Sequence, residues 1–237
     1  MYLHVTKKTT QRTKRKSGKP PTHESGFTLI EMIVVIAIVM ALVAIAVPMM
    51  YGQASNQRLK DTARGIANVL NRARGEAVRT GNVHIVYVAT DASGNLLQDP
   101  SGNNVAALIL NDGAPGATDQ NCQIDSGEPI WTVQNVAGVG LGVVGSPATA
   151  PNDQGSGNKT SGSTFTEDDG STAATWVMFR PDGMPLAFDA GCATGDAGSG
   201  AGAFYLQNGE RNLAVVLKPM GNVKVHAFSV TTNTWTE

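Results

Sequence analysis

The hydrophobic residues of this chain follow three successive patterns, and the first is an unbroken apolar run near the N-terminus. Residues 27–47 are 21 residues with a single charge, Glu31. At about 1.5 Å per residue, a helix of that length extends about 31 Å, which matches the hydrocarbon core of a bilayer. The run therefore predicts one membrane-spanning helix.

The second pattern is an apolar stripe with helical spacing over residues 49–81. Its members recur at alternating intervals of four and three: Leu59, Ala63, Ile66, Leu70, Ala73 and Ala77. This spacing places them on one face of a helix, which we expect to pack on the domain that follows. The flanking basic residues are Arg58, Lys60, Arg64, Arg72, Arg74 and Arg79. They could face solvent, lipid headgroups or acidic neighbours. Gly81 is a suitable residue for the C-terminal cap of this helix, because glycine is common directly after the last helical residue.

The third pattern has a period of two and begins at residue 82, which predicts β-strands. After a first strand over 83–88, further strands are predicted at 106–110, 130–136, 139–144, 175–180, 203–207, 213–218 and 223–230. Asn208-Gly209 predicts a hairpin turn. Residues 145–174 and 189–202 are rich in small and polar residues, which predicts two long surface loops. The predicted fold class is α+β, with a long N-terminal hydrophobic helix packed on a mainly antiparallel, β-sandwich-like head.

The net charge of −1 conceals an uneven distribution of charge. Residues 1–25 carry seven Lys and Arg against one acid, Glu24, and from Thr80 onward there are 5 basic and 15 acidic residues. A basic flank keeps its side of a membrane helix in the cytoplasm, so the chain after the apolar run should lie outside. Alone, the basic segment would also fit a nucleic-acid-binding tail.

Glu31 requires an explanation, because a carboxylate inside a hydrophobic helix costs about 2.5–3.5 kcal/mol on insertion scales. The positive end of the helix dipole reduces that cost near the N-terminus. Two interpretations follow. Glu31 is either an interfacial acid tolerated at the helix end, or it pairs with a freed N-terminal amine on a neighbouring copy.

The segment Gly26-Phe27-Thr28-Leu29-Ile30-Glu31-Met32 closely resembles the cleavage and methylation motif of type IV prepilins and type II secretion pseudopilins. The resemblance implies that a membrane-bound prepilin peptidase cuts between Gly26 and Phe27 and N-methylates Phe27. It further implies that Glu31 is the assembly glutamate. A conventional signal peptide cleaved after Ala44-Ile45-Ala46, or an uncleaved signal anchor, would be the alternatives, although the apolar run is long for a signal peptide.

A second resemblance lies in the C-terminal half. The segment Phe179-Arg180-Pro181-Asp182-Gly183-Met184-Pro185, followed by a strand pair and Gly221-Asn222-Val223-Lys224-Val225, is similar to the pattern of the GspH/FimT family of minor pseudopilins and minor pilins. Some members of that family bind DNA through a Gly-Arg-x-Arg element. Here Asn222 and Lys224 replace the two arginines, which leaves Lys224 as the DNA-binding candidate, in a head whose acidic excess would repel DNA.

No constellation of catalytic residues emerges from the sequence. His84 and His226 lie in predicted strands without a nearby nucleophile motif. Residues 155–160 lack the Gly-Lys pair of a phosphate-binding loop. The acidic residues at 167–169 could bind calcium, but their spacing does not fit an EF-hand. We therefore expect no cofactor, no metal and no enzymatic activity.

Cys122 and Cys192 are the two cysteines of the chain, and both follow the apolar run. In an oxidising compartment they could form a disulfide that ties two loops together. Two free thiols, or a zinc site completed by histidine, are the alternatives.

These observations predict an assembly protein. Its segments would be a cleaved leader over 1–26, a transmembrane and assembly half-helix over 27–48, an amphipathic half-helix over 49–81 and a β-rich periplasmic head over 82–237. The resemblances imply a minor pseudopilin of a type II secretion pseudopilus, anchored by a single pass in the bacterial inner membrane. Its expected partners are prepilin peptidase, other pseudopilins or pilins, and inner-membrane lipid. A minor pilin of a type IV pilus, with a role in DNA uptake, is the alternative.

Overall fold

The computed structural model describes residues 26–99, 101–113, 120–125 and 127–237. The predicted leader lies outside these described residues except for Gly26. The chain divides into two compact units, Met1–Val47 and Pro48–Glu237. The helix α1, Leu29–Thr80, contributes residues to both units.

Helix α1 has 52 residues and ends where the sequence predicts. Gly81 follows the last helical residue in the left-handed conformation, with φ of 74°, and its amide donates to the Ala77 carbonyl at 3.0 Å. This is the geometry of a C-terminal cap, which favours glycine because a Cβ atom is strained there.

Within the described residues, ten strands and a short 3₁₀ turn, Lys159–Ser161, follow the helix. The strands are β1 (Val83–Val88), β2 (Val105–Asp112), β3 (Pro129–Gln134), β4 (Gly140–Leu141), β5 (Trp176–Phe179), β6 (Pro185–Leu186), β7 (Gly202–Gln207), β8 (Asn212–Leu217), β9 (Val223–Ser229) and β10 (Thr234–Thr236).

The strands form two five-stranded sheets, and every strand pair is antiparallel. The first sheet has the order β3-β2-β1-β5-β6 and the second β10-β9-β8-β7-β4. In the first, Tyr87 lies opposite both Leu108 and Trp176. In the second, Phe204 lies opposite Val215. The predicted α+β class, a helix with a mainly antiparallel head, is confirmed.

The main core of the unit Pro48–Glu237 joins the helix to both sheets. All six residues of the predicted apolar stripe are buried, and they belong to one cluster with Ile85 and Leu108 of the first sheet and Val215 and Leu217 of the second. Burial of the Leu and Ile side chains in this cluster is worth about 1.5–3 kcal/mol each. The amphipathic half of α1 is therefore part of the core of the head.

A second, smaller cluster lies on the opposite face of the second sheet. It contains Ala203, Tyr205, Ala214 and Val216, with Ala150 from the loop that precedes β5. Residues 145–174 had been predicted to form a long surface loop, yet Ala150, Ser163, Thr164 and Phe165 are buried there. The composition indicated a loop correctly but did not show that the loop packs on the sheet.

The predicted and observed strands differ at three places. The strand predicted at 139–144 is reduced to the two residues of β4, since Gly142 has φ of 117° and Gly145 has φ of 73°. Strands β6 and β10 were not predicted. They have only two and three residues, too few for a period of two to be visible.

Candidate functional site

The predicted processing site lies directly before the apolar helix. Phe27 is 79% exposed and Gly26 precedes it. Thr28 caps the helix, because its hydroxyl oxygen accepts a hydrogen bond from the Glu31 amide at 3.2 Å and its carbonyl accepts one from the Met32 amide at 3.2 Å. The capping threonine was not identified in the sequence, although Thr followed three residues later by Glu is a known N-terminal signal. The cap leaves Gly26 and Phe27 outside the helix.

Glu31 lies in the first helical turn, where the helix dipole is positive. Its side chain is exposed. A carboxylate at this position can form an ion pair with a cationic group of another molecule while the helix stays folded. The structure therefore places Glu31 where the predicted pairing with an N-terminal amine is chemically feasible, while the pairing itself stays a prediction.

Apart from Glu31, the helix residues from Leu29 to Ala46 are apolar, and their side chains are exposed. Leu29–Ala46 is 18 residues long with a mean hydropathy of 3.0, which is long enough and apolar enough to cross a membrane. All of these residues are exposed. Because so large an apolar surface is unfavourable in water, it requires lipid or other apolar helices around it.

In the head, one arginine of the helix joins both sheets. The Arg74 Nε donates to the Gly183 carbonyl at 3.2 Å, in the turn between β5 and β6. Its Nη1 donates to the Gly221 carbonyl at 3.3 Å and to Asn222 Oδ1 at 3.4 Å, in the turn between β8 and β9. We call this arrangement the Arg74 clamp. The sequence had placed Arg74 only among the basic residues that flank the stripe.

The Arg74 clamp requires two turns to approach closely. Gly221 has φ of 78°, and a Cβ atom there would lie 2.8 Å from the Gly183 carbonyl oxygen and 2.9 Å from Arg74 Nε. Only glycine fits this space without a shift of the backbone. The two segments 179–185 and 221–225 therefore meet at one side chain of the helix.

A second contact fixes the helix to the second sheet. The Asn208 side-chain amide donates to Ser55 Oγ at 3.1 Å and to Asn56 Oδ1 at 3.0 Å. Asn208 belongs to the predicted hairpin turn between β7 and β8, in which Gly209 has φ of 87°. The helix is thus hydrogen-bonded to the head near residue 55 and again at Arg74.

Cys122 and Cys192 form a disulfide with their Cα atoms 5.5 Å apart. The bond joins the loop before β3 to the loop after β6. Tyr87 donates from its hydroxyl to the Cys122 carbonyl at 2.5 Å, and both cysteines have positive φ, 54° and 70°. Burial raises the pKa of Tyr87, so its hydroxyl stays a donor. The buried Tyr87 side chain therefore connects the disulfide to the first sheet.

The same region contains the one group of metal-ligating residue types in the part of the chain that the structure describes, Asp112 with Cys122 and Cys192. The two sulfur atoms are bonded to each other, so neither is a thiolate that could bind zinc. The Asp112 carboxylate instead accepts hydrogen bonds from the amides of Asn121 and Cys122 at 3.2 Å each. The Asp112 carboxylate therefore holds the backbone of the loop at residues 121 and 122 in place.

An aspartate organises the loop that covers the second sheet. Asp153 Oδ1 accepts from the Thr164 hydroxyl at 2.7 Å and Oδ2 accepts from the Tyr205 hydroxyl at 2.7 Å. Gly155 passes so close to Thr164 that a Cβ atom would overlap its carbonyl oxygen. Near the C-terminus, Trp235 of β10 donates from its Nε1 to the Ala148 carbonyl of this loop at 2.8 Å. These contacts hold the loop on the outer face of the sheet.

Lys224, the predicted DNA-binding candidate, is already paired. Its Nζ lies 2.6 Å from Glu237 Oε1, and this hydrogen bond, with the lysine charge, lowers the pKa of Glu237.

A group of acidic residues surrounds Glu167. Burial and the nearby carboxylates of Asp169, Asp189 and Asp168 raise the pKa of Glu167. The head therefore presents clustered negative charge, which is unfavourable for binding a polyanion.

The two histidines of the described residues are buried in strands. Burial lowers the pKa of His84 and of His226, so both are neutral near pH 7. Neither His226 ring nitrogen, nor His84 Nε2, has a hydrogen-bond partner among the described residues.

A known family model matches the start of the chain. Residues 21–47 match the model described as the prokaryotic N-terminal methylation motif. Comparison with the curated proteins gives no match, and comparison with the solved structures gives none either. The matched motif, together with the apolar helix behind it, supports a type IV pilin or pseudopilin. It implies processing by a prepilin peptidase and assembly with other pilins, and it fits an inner-membrane anchor with a periplasmic head.

Proposed function

We propose that this protein is a minor pseudopilin of the GspH/FimT kind, an assembly subunit of a type II secretion pseudopilus that takes part in protein export across the outer membrane. The observation that carries the proposal is the position of Glu31, exposed in the first turn of an uncovered apolar helix and five residues after Gly26. The meeting of segments 179–185 and 221–225 at Arg74 supports the GspH/FimT assignment.

The proposed mechanism of assembly follows from charge and solvation. Cleavage after Gly26 would create an ammonium group at Phe27, which N-methylation leaves charged. The Glu31 carboxylate of a neighbouring copy would pair with that ammonium at membrane depth, where two opposite charges are more stable together than apart. Packing of the apolar helices would then replace their contacts with lipid.

The charge of the head favours secretion over DNA uptake. Residues 82–237 carry 5 basic and 15 acidic side chains, and Lys224 is paired with Glu237. DNA affinity depends mainly on neutralisation of phosphates by Lys and Arg. The net charge of −10 over these residues opposes binding to a polyanion, which favours secretion over DNA uptake.

Processing tests the assignment directly. When the chain is coexpressed with a prepilin peptidase, the intact mass should correspond to a product that starts at Phe27 and carries one added methyl group. Gly26→Val should leave the leader attached, because the peptidase motif would be lost. Glu31→Ala should still be cut but should not enter filaments, since the carboxylate would be missing. A chain of full length in the presence of active peptidase would refute the proposal.

Deletion of the gene separates the two systems. For a secretion subunit, the exported proteins should accumulate in the periplasm, while pilus retraction and DNA uptake continue at their normal level. The wild-type gene supplied in trans should restore secretion, and the Glu31→Ala gene should not. Normal secretion together with lost DNA uptake would instead assign the protein to a pilus.

A further inference from the structure

His226 is a buried histidine whose polar atoms are unpaired. It lies in β9 with 1% of its surface exposed, and neither ring nitrogen has a hydrogen-bond partner in the part of the head that the structure describes. A buried polar group without a partner is unfavourable, and an imidazolium would be more so, because it carries a charge and two donors. The ring would therefore gain hydrogen bonds from any opening that exposes it to water.

The strand register shows what covers this histidine. His226 lies opposite Ala214 of β8, and Ala214 lies opposite Tyr205 of β7, so the three share the outer face of the second sheet. Trp235 belongs to β10, on the far side of β9, yet the centroid of its ring lies 5.8 Å from that of Tyr205. Since β9 and β8 separate β10 from β7, the two rings reach toward each other across the face that carries His226.

Strand β10 has few attachments to the head. It has three residues, lies at the edge of the sheet and pairs with β9. Trp235 Nε1 donates to the Ala148 carbonyl at 2.8 Å, and the centroids of the Trp235 and Phe228 rings are 5.2 Å apart. After the strand, Glu237 forms its exposed ion pair with Lys224, which contributes little. A short terminal strand opens more readily than the core strands, so β10 is the element whose opening exposes the buried histidine.

The charged and titratable groups around His226 decide the direction of a pH effect. They are Lys224 on β9, Glu237 after β10, Lys218 after β8, and Tyr205 with its acceptor Asp153. Burial is the main cause of the lowered pKa of His226, and the Glu237 carboxylate opposes it. Among these residue types, only histidine ordinarily titrates between about pH 5 and pH 7.5.

We propose that β10 is an acid-released strap over His226, closed at neutral pH and opened when the imidazole takes up a proton. Acid favours the open form because a basic group whose pKa is lowered in the closed form binds protons more readily once it is exposed. Opening uncovers the edge of β9 and the aromatic rings of Tyr205 and Phe228. An uncovered strand edge can pair with another chain, so the head would present this surface only in acid. The inference depends on the described head and is independent of the proposed function.

Hydrogen–deuterium exchange of the full chain in detergent tests this strap. Protection is measured at about pH 7.5 and at about pH 5, on either side of the ordinary histidine pKa, and each value is corrected for the intrinsic exchange rate at that pH. The amides of β10 should lose about 10- to 30-fold of their protection in acid, the range set by an exposed histidine that titrates near pH 6.5. The amides of β7 and β8 should keep their protection, because each of these strands is paired on both sides.

Two variants separate the strap from a general effect of acid. His226→Leu keeps a buried apolar side chain and removes the titrating group, so the protection of β10 should be equal at the two pH values. Trp235→Ala uncovers the histidine in the closed form, so β10 should be less protected at both pH values and the ratio between them should approach one. His84, the other histidine of the described residues, is the internal comparison. Its own acid response would appear in the amides of β1 and would persist in His226→Leu.

Four outcomes would overturn the proposal. The first is protection of β10 that does not depend on pH, and the second is an acid-induced loss that persists in His226→Leu. The third is higher protection in acid, which would show that the imidazolium pairs with Glu237 and tightens the strap. The fourth is an equal loss in β7 and β8, which would be unfolding of the whole head. Where His226→Leu fails to keep β7 and β8 protected at neutral pH, the ratio measured for Trp235→Ala decides, and an unchanged ratio rejects the strap.

Discussion

Replacement of Cys122 and Cys192 together by alanine should lower the free energy of unfolding by about 4 kcal/mol. The disulfide spans 70 residues of sequence, and closing a loop of this size restricts the unfolded chain. In the folded state it also holds two residues with positive φ, Cys122 at 54° and Cys192 at 70°. Without the bond, both loops lose a constraint, and the hydrogen bond from Tyr87 to the Cys122 carbonyl loses its support.

Denaturant unfolding of the full chain in detergent measures this effect. The control is the wild-type chain in a reducing buffer, which should unfold at nearly the same denaturant concentration as the double alanine variant. Adding the reductant should not change the denaturant concentration at which the double alanine variant unfolds. A loss below about 1 kcal/mol would show that the disulfide is not a major element of the stability of the head.

Arg74→Ala should lower the free energy of unfolding by about 3 kcal/mol, because it removes charge-assisted hydrogen bonds to two separate turns. The Gly183 and Gly221 carbonyls and Asn222 Oδ1 would each lose a donor. The side chain links α1 to both sheets, so its loss would loosen three elements at once. Arg74→Lys should recover only part of the stability, since one ammonium group lacks the forked geometry of a guanidinium.

The comparison for Arg74 is Arg58→Ala on the same helix. Arg58 is exposed and has no ion pair in the described part of the chain, so its replacement should change the free energy of unfolding by no more than about 0.5 kcal/mol. Both variants can be followed by denaturant unfolding and by protease resistance. Equal effects of the two replacements would contradict the role assigned to the Arg74 clamp.

The N-terminal third of this protein could be predicted from local sequence. The apolar run, the prepilin-like motif and the stripe from Leu59 to Ala77 are patterns of neighbouring residues, and helix geometry translates their spacing into a face. The cap at Gly81 depends on one residue and its immediate neighbours. The longer strands were also predicted, since a period of two is visible over five or more residues.

The site residues of the head were less predictable. Arg74 was one of six basic residues beside the stripe, and nothing local distinguishes it from Arg72 or Arg79. Its partners lie 109 to 148 residues further along the chain. The loop at 145–174 was recognised by composition, but its attachment through Asp153 to Tyr205, across 52 residues, was not.

Local spacing in the chain thus determined which segment can cross a membrane, where a peptidase motif stands, and which face of the helix is apolar. Each of these depends on atoms only a few residues apart. The folded head decided which arginine binds two turns and which glycines permit close approach. These outcomes depend on which distant segments pack together, because a hydrogen bond or a steric contact exists only when both partners reach the same place.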